Sequence, residues 1–209
     1  MFDNRIFEKI DSEEKAYWLG FLYADGCIHS GEGDFRIELG LAKQDYHHLE
    51  KFKRFIGKGN KISFRTSSNS YRFNFRDKKV HQDLISLGCV PKKSLILTFP
   101  TKEQVSDTFL KPFLRGYFDG DGSFWWKNKS FGLNILSSKA FLEGLCERYL
   151  PFKNLKIYPI HYERPDKGQR IQVSSAELVQ FFLNDIYADA TIFLDRKYQE
   201  YLDYFATLS

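Results

Sequence analysis

Two aspartates, Asp25 and Asp121, each precede a glycine at the end of two similar segments, 17–26 (YWLGFLYADG) and 113–122 (FLRGYFDGDG). If both segments are helices, each carboxylate faces the negative end of a helix dipole, which costs roughly 0.3–1 kcal/mol. A divalent cation would relieve that cost, because Mg²⁺ is typically held by one or two carboxylates together with phosphate oxygens and water. Two metal ions at paired carboxylates can activate water and stabilise leaving oxygens in phosphodiester hydrolysis. The aspartate pair therefore predicts metal-dependent phosphodiester chemistry.

A simpler interpretation of either aspartate alone is a solvated turn residue before a glycine. The duplication argues against this interpretation, since two matched segments occupy the same point of two half-chains. The run containing Asp119 and Asp121 also suggests a calcium-binding loop. It lacks the third ligand position and the glutamate at loop position twelve, so this interpretation is set aside.

Small residues lie four positions apart in both segments: Gly20 and Ala24 in the first, Gly116 and Gly120 in the second. Residues at this spacing share one face of a helix, and small ones allow two helix backbones to approach closely. A glycine inside a helix costs about 1 kcal/mol relative to alanine. We therefore expect the two helices to pack against each other, which brings the two carboxylates together.

The rest of the chain repeats as well. Strand-then-helix patterns recur in two pairs of matched ranges: 34–52 with 130–145, and 71–88 with 169–185. The order helix, two strands, helix, two strands, helix is thus predicted twice. A proline and a polar cluster mark the junction between the repeats. The predicted division is an N-terminal half-domain at 1–98, a linker at 99–106 and a C-terminal half-domain at 107–209.

The predicted strands have one apolar and one polar face, because apolar and polar residues alternate in 35–41, 71–76 and 170–174. This alternation is typical of antiparallel sheets that are covered on one side only. Helices must then cover the apolar faces, so the predicted class is α+β. Asp11 and Glu14 resemble a capping box ahead of the first helix.

Composition constrains the function only weakly. A formal net charge of +4 permits a polyanionic partner without demanding one. Cys27, Cys89 and Cys146 have no metal-binding spacing, which predicts buried free thiols in a reducing compartment. The N-terminal residues include no apolar signal region, and no apolar run reaches the roughly 18 residues that suggest a transmembrane helix. We expect a soluble intracellular protein of the cytoplasm or nucleoid, with no membrane contact.

The segments WLGFLYADG (18–26) and LRGYFDGDG (114–122) resemble the two LAGLIDADG motifs of single-chain homing endonucleases. The resemblance runs from about residue 13 to about residue 205. It implies an α+β fold of two pseudo-twofold-related αββαββα half-domains, with a saddle of antiparallel strands and the motif helices packed at the interface. Tyr23 stands where the family often has an acid, but that position does not bind metal.

The resemblance also implies a catalytic site. Asp25 and Asp121 would bind the metal ions, helped by the backbone carbonyls of Ala24 and Gly120. The cofactor would be Mg²⁺, with Mn²⁺ as a substitute and Ca²⁺ binding without cleavage. The family places a basic residue near each active site, and here the candidates are Lys93, with Lys92 as the competitor, and Lys197 or Arg196. A further, often polar position after the first strands maps to Ala42 or Lys43 in one half and to Ser137 in the other.

The family uses the uncovered sheet faces to bind the DNA major groove, and this chain predicts such faces independently. The candidate DNA-contacting residues are Arg36, Glu38, Arg65, Arg72, Asn74, Arg76, Lys127, Asn134, Lys156, Arg170 and Gln172. Most are side-chain types that bind phosphates or base edges. For any single residue, an ordinary solvated sheet face explains the pattern equally well. The loops 30–34, 66–70 and 162–168 could extend the contact.

The function implied is a site-specific homing endonuclease, a hydrolase that cuts both strands of double-stranded DNA at a long asymmetric target and leaves a short 3′ overhang. It would act as a monomer without a protein partner. The alternative is a non-cleaving DNA-binding regulator, or an RNA intron maturase, on the same fold. The sequence leaves open whether an intron, an intein or a free-standing gene encodes the chain, and it predicts no target sequence.

Overall fold

The computed structural model describes residues 2–127, 130–160 and 168–208, and at 127 and 130 it describes the backbone only. The side chain of Lys127 and most of the predicted loop 162–168 therefore lie outside the described residues. The chain forms two four-stranded antiparallel sheets, with helices packed on them. The α+β class predicted from the sequence is confirmed.

The first half begins with the first motif helix. Its elements are α1 (Glu13–Asp25), β1 (Gly26–Ile28), β2 (Arg36–Ala42), α2 (Tyr46–Ile56), β3 (Ser63–Arg65), β4 (Ser70–Arg76) and α3 (Lys78–Ser86). The strand order in its sheet is β1-β2-β4-β3. This is the predicted αββαββα order.

The second half repeats the arrangement. Its elements are α4 (Leu110–Asp121), β5 (Gly122–Lys127), β6 (Ser130–Ser137), α5 (Lys139–Arg148), β7 (Ile157–Pro159), β8 (Gln169–Val173), α6 (Ala176–Tyr187) and α7 (Asp195–Ala206). The strand order is β5-β6-β8-β7, equivalent to that of the first sheet. The predicted order is confirmed, and α7 follows it as an additional helix.

The strand register fixes which positions of the two halves are equivalent. Gly26 pairs with Leu39 in the first sheet, and Gly122 pairs with Ile135 in the second. Two residues further along, Leu41 is therefore the counterpart of Ser137. The mapping of Ser137 onto Ala42 or Lys43 was wrong, because a shift of one residue moves a side chain to the opposite face of the strand.

Alternation along the strands places one face of each sheet in the core, as predicted. Ile37, Leu39, Phe73 and Phe75 are buried in the first half, and their equivalents in the second half are buried too. Burying a side chain of this size contributes about 1.5–3 kcal/mol relative to leaving it in water. Helix α2 packs on β2 and β4, and α5 and α6 pack on the second sheet. The opposite face of each sheet carries the polar residues.

The two motif helices α1 and α4 pack directly on each other, as the small residues predicted. A Cβ atom at Gly20 would lie 2.0 Å from the Phe113 carbonyl oxygen, and one at Gly116 would lie 2.0 Å from the Tyr17 carbonyl oxygen. Real Cβ atoms do not approach other atoms this closely, so only glycine permits the contact at both positions. The interface is nearly symmetric, since each glycine faces a carbonyl of the other helix.

One helix end differs from the prediction. Ser12, and not the predicted capping box of Asp11 and Glu14, caps α1 by accepting a hydrogen bond from the Lys15 amide at 3.2 Å. Gly26 and Gly122 cap the C-terminal ends of α1 and α4 in extended conformation, because each one starts a strand directly. Both still require glycine, since a Cβ would meet Leu22 or Phe118 one turn back.

Two other expectations concerned the burial of the cysteines and membrane-spanning helices. Cys89 and Cys146 are buried free thiols, as predicted, but Cys27 is exposed because it lies on the outward face of β1. Within the described ranges, no helix is long and apolar enough to cross a membrane.

Candidate active site at the helix interface

Asp25 and Asp121 are the last residues of α1 and α4, so packing of the helices brings the two carboxylates to the interface. A Cβ added at Gly120 of α4 would lie 2.3 Å from the Ala24 Cβ and 3.3 Å from an Asp25 carboxylate oxygen. The Asp25 carboxylate therefore lies beside the opposite helix. Solvent reaches both aspartates, because Asp25 is exposed and Asp121 is half-buried.

Packing against the protein raises the pKa of both carboxylates, although solvent reaches them. Desolvation raises the pKa of Asp25 to about 6, and the nearby negative charge of Asp121 adds to the shift. Desolvation also raises the pKa of Asp121, although the charges of Lys93 and Lys197 oppose it. Two carboxylates held close together would both be stabilised by a bound cation.

Lys93 and Lys197 occupy equivalent places at the two helix ends. The Lys93 ammonium donates to the Gly26 carbonyl, and the Lys197 ammonium donates to the Gly122 carbonyl at 2.5 Å. Lys197 also donates to the Phe118 carbonyl at 2.5 Å. These bonds hold each amine next to the residue that follows the aspartate.

The lysines act across the interface between the halves. The Lys197 charge is the strongest favourable influence on the pKa of Asp25, and the Lys93 charge is the strongest on that of Asp121. Both lysine charges therefore lower the pKa of both carboxylates. Lys197 is 4% exposed, and burial lowers its pKa to about 8, partly offset by the negative charge of Asp119.

The two competing basic residues lie elsewhere. Arg196 forms a forked ion pair with Asp45, at 3.0 and 3.2 Å to its two carboxylate oxygens. Lys92 is exposed and has a left-handed backbone with φ of 52°. The structure thus brings Lys93 and Lys197, rather than Lys92 and Arg196, to the carboxylates.

Asp119 is a buried acid whose role the sequence analysis missed. It accepts hydrogen bonds from the Tyr17 hydroxyl at 2.7 Å, from the Leu194 amide at 2.7 Å and from the Tyr187 hydroxyl. It therefore ties α4 to α1, to α6 and to the residue before α7, the helix that carries Lys197. Tyr23 occupies the equivalent motif position in α1. The sequence did offer a sign of this role, because Asp119 is an acid within a mostly apolar stretch of the helical segment.

A cavity of about 220 Å³ opens beside Asp121, lined by residues of both halves that include Lys93, Tyr117 and Ser137. The Tyr117 hydroxyl lies 2.8 Å from the Ser137 hydroxyl and donates to the Leu136 carbonyl at 2.8 Å. The sequence analysis named Ser137 only through a soft mapping and did not name Tyr117. Tyr117 was hidden because an aromatic residue at a helix interface resembles ordinary core.

The predicted DNA-contacting residues that the structure describes fall mostly on the uncovered sheet faces. Arg36 lies opposite Arg76, Glu38 opposite Asn74, and Asn134 opposite Gln172, so each pair shares one face. The remaining predicted residues lie on or next to outer strands: Arg65 is exposed in β3, Lys156 is exposed just before β7, and Arg170 is half-buried in β8.

Part of this face is neutralised within the protein. Arg72 forms an ion pair with Glu38, and Arg36 and Arg76 both pair with Asp34, at 3.4 and 3.5 Å. Yet several buried polar atoms of the face have no partner among the described residues. They are Arg36 Nε, Arg72 Nε, Asn134 Oδ1 and Arg170 Nε. Buried polar atoms are normally hydrogen-bonded, so the face has unused recognition capacity.

The predicted loops at the edges of the first sheet take defined forms. Residues 30–34 are largely exposed, with Gly33 in the left-handed region at φ of 69°. Residues Thr66–Ser68 form an exposed 3-10 helix rather than an irregular loop, and Ser70 already belongs to β4. Both segments border the polar face.

The fold and site define a two-half α+β protein with a carboxylate pair at its pseudo-twofold axis. No protein-family model and no curated protein matches the chain. Solved structures do match. The I-LtrWI LAGLIDADG homing endonuclease bound to target DNA is 12% identical, with a TM-score of 0.59 over 94% of this chain and 90% of that one.

Two further structures are similar in the same way. I-GzeII, a LAGLIDADG homing endonuclease in complex with its DNA target, is 13% identical, with a TM-score of 0.61 over 91% of this chain and 88% of that one. I-SmaMI bound to an uncleaved DNA target in the presence of calcium ions is 14% identical, with a TM-score of 0.60 over 91% and 89%. The protein therefore has the fold of the single-chain LAGLIDADG homing endonucleases, and at these identities the likeness shows the fold.

Proposed function

We propose that the protein is a site-specific, metal-dependent endonuclease that hydrolyses one phosphodiester bond in each strand of a long, asymmetric DNA target. The observation that supports this most directly is the pair of carboxylates with raised pKa values, Asp25 and Asp121, at the ends of two packed helices. A fold shared with proteins solved on DNA adds to the case.

The oxygen atoms at this site suit a hard cation that takes its remaining ligands from the substrate. Within residues 2–127, 130–160 and 168–208, no three His, Cys, Asp or Glu side chains cluster as a closed metal site. The groups that would bind the ion are the two carboxylates, Asp25 and Asp121, and the backbone carbonyls of Ala24 and Gly120. Oxygen donors suit Mg²⁺ or Mn²⁺, and Mg²⁺ commonly takes its other ligands from phosphate and water. When bound, such an ion supplies Lewis acidity at the scissile phosphate.

Lys93 and Lys197 would stabilise the negative charge that develops at the phosphates. Each ammonium is held beside a helix end by backbone carbonyls, so it requires little reorganisation when charge develops. Since both lysines lower the pKa of both carboxylates, each scissile phosphate would be served by residues from both halves. Correct docking of α1 on α4 is then a condition for cutting either strand.

The polar faces of the two sheets would contact the DNA major groove. The unpartnered polar atoms on Arg36, Arg72, Asn134 and Arg170 favour this role, because base edges and phosphates can satisfy them. The residues of the two faces differ, so the two half-sites of the target need not be related by symmetry. The Arg72–Glu38 ion pair limits non-specific attraction to phosphate before a target is bound.

The test begins with a target. We would enrich a randomised duplex library for binding in Ca²⁺, transfer the bound DNA to Mg²⁺, and sequence the cleaved ends. Wild type should cut both strands at one long site. Asp25→Asn and Asp121→Asn should bind that site with unchanged affinity and fail to cut it, whereas Asp189→Asn, which alters an exposed aspartate outside the site, should cut normally.

Three other outcomes would contradict the proposal. Tight, sequence-specific binding without cleavage in Mg²⁺ or Mn²⁺ would indicate a regulator. Selective binding of structured RNA would indicate a maturase. Cleavage that survives both aspartate substitutions would mean that the chemistry lies elsewhere in the protein.

A further inference from the structure

Helix α7 belongs to the second half, but its first turn is bound to the first half. That turn contains Asp195, Arg196 and Lys197. The Arg196 Nε donates to both carboxylate oxygens of Asp45, at 3.0 and 3.2 Å. Asp45 lies between β2 and α2, as the last residue of a short 3-10 helix. This ion pair therefore joins the start of α7 to the first half.

Other contacts bind the same region to the first half. The Lys51 ammonium of α2 donates to the Asp195 carboxylate at 2.5 Å and to the Phe193 carbonyl at 3.3 Å. Just before them, the Thr191 amide donates to the Glu13 carboxylate of α1 at 3.0 Å. First-half side chains therefore hold the start of α7 at several successive residues, which restricts both the place and the direction in which the helix begins.

Asp45 is the buried member of these contacts. Its side chain is 9% exposed, and Arg196 reaches it from the surface with a side chain that is 41% exposed. Among the residues that the structure describes, Arg196 alone forms an ion pair with Asp45. A buried charge that loses its partner is strongly unfavourable, whereas a more exposed pair such as Lys51 with Asp195 contributes little. The pair of Asp45 and Arg196 is therefore the contact that restricts the start of α7 most.

The ion pair bears on the candidate active site because Lys197 follows Arg196 directly in the chain. Lys197 is 4% exposed, and its ammonium donates to the carbonyls of Phe118 and Gly122, which lie before and after Asp121 in the chain. Hydrogen bonds weaken when their distance and angle change. A shift of the first turn of α7 would therefore move the ammonium away from the end of α4.

We propose that Asp45, acting through Arg196, is a positioning residue for Lys197, so that the first half fixes the place of the cation that the second half supplies to the active site. This inference rests on the proposed function. A misplacement of about 1 Å can cost about 100-fold in rate, and we expect about 10-fold here, because another bond still holds α7. That bond is donated by the Leu194 amide to Asp119.

The test is a double-mutant cycle on cleavage of the DNA target selected with wild type. Asp45→Asn and Arg196→Gln should each lower kcat about 10-fold at unchanged KM, because neither changes the polar sheet faces. The double variant should also lose about 10-fold rather than about 100-fold, since both changes remove the same contact. Loss of the Asp45 charge does not itself explain slower cleavage. That charge raises the pKa of Asp25, so its removal favours the ionised carboxylate.

A readout that needs no cleavage is the NMR spectrum of the free protein labelled with ¹⁵N-lysine. A buried ammonium held by two carbonyls exchanges its protons slowly and gives a resolved signal, whereas solvated lysines do not. The spectrum is recorded below the pKa of Lys197, which burial lowers to about 8. Wild type should show the signal, and Lys197→Gln, which assigns it, should not. Asp45→Asn and Arg196→Gln should broaden or remove it.

The matched control is Asp185→Asn. Asp185 is a half-buried aspartate of α6 that forms an ion pair with Lys111 at 2.6 Å. Lys111 lies in the first turn of α4, at the end of that helix opposite to Asp121. The control thus removes a comparable ion pair away from the carboxylates. It should change neither kcat nor the Lys197 signal.

The outcomes distinguish this inference from the proposed function. If wild type cuts its target and Asp45→Asn keeps both the wild-type kcat and the Lys197 signal, the positioning role is wrong and the endonuclease proposal stands. Slower cleavage with a lowered melting temperature but an unchanged Lys197 signal would assign Asp45 a structural role instead. If wild type cuts no DNA, the proposed function fails, while the Lys197 signal of the free protein still decides whether Asp45 holds the lysine.

Discussion

The contact between the motif helices can be tested by adding a single methyl group. Gly116→Ala would place a Cβ atom 2.0 Å from the Tyr17 carbonyl oxygen and 2.9 Å from the Phe21 amide nitrogen. Both are backbone atoms, so no side chain can rotate away, and α1 and α4 must separate by more than 1 Å. Overpacking costs about 1–3 kcal/mol, here at the upper end, and the better helix propensity of alanine offsets about 1 kcal/mol. We expect a net loss of about 2 kcal/mol.

The assay is equilibrium unfolding in guanidinium chloride, with Gly59→Ala as the control. Gly59 is exposed, and a Cβ there would meet nothing within 4 Å. Restricting the unfolded chain at such a site is neutral or stabilising by about 0.4–1 kcal/mol. Gly116→Ala should also slow the cleavage of both strands, since separating the helices moves Asp25 away from Asp121.

The reciprocal substitution sharpens this prediction. Gly20→Ala creates the mirror-image clash with the Phe113 carbonyl oxygen, also at 2.0 Å. Once the helices have separated to accept one methyl group, the second requires little additional movement. The double variant should therefore lose clearly less stability than the two single variants together. Strict additivity, or a Gly116→Ala variant as stable as wild type, would refute the close backbone contact as the determinant of the interface.

Three further predictions concern individual side chains. Asp119→Asn should destabilise the protein by about 3 kcal/mol in denaturant titration, because a buried carboxylate accepts three hydrogen bonds that an amide cannot all accept. Without metal, the pKa of Asp25 is raised from 3.8 to about 6, so its contribution to stability is complete below about pH 4 and is lost as pH rises through 6. The melting temperature of Asp25→Asn should depend less on pH than that of wild type over this range, and Mg²⁺ should stabilise wild type at pH 7. Lys93→Met should lower the cleavage rate about 100-fold, as for the loss of a donor to a developing negative charge, while Lys92→Met should cut normally; equal losses in the two variants would contradict the assignment.

The repeated motif is the feature from which most of the fold could be predicted. Glycines four residues apart specify one helix face, and this local spacing predicted both the packing of α1 on α4 and the meeting of Asp25 with Asp121. Alternation of apolar and polar residues likewise predicted which strand face is buried. These features need no knowledge of distant contacts, because helix and strand periodicity orient neighbouring side chains.

Positions governed by distant contacts were predicted less well. Lys92 and Lys93 are adjacent in the chain, and so are Arg196 and Lys197. Sequence order could not decide between the members of each pair. The decision came from the backbone turn that aims Lys93 at the Gly26 carbonyl, and from Asp45, which engages Arg196 from the other half. The influence of both lysines on both carboxylates also appears only in the assembled fold.

The sequence by itself determined the duplicated α+β fold, the packed motif helices and the two aspartates at their ends, because these depend on the period and spacing of residues close together in the chain. Only the tertiary structure decided which cations face the carboxylates, that Asp119 is a buried link between helices, and that the hydroxyls of Tyr117 and Ser137 meet beside Asp121. Each of these depends on groups that lie far apart in sequence, and such contacts are fixed by how the elements pack.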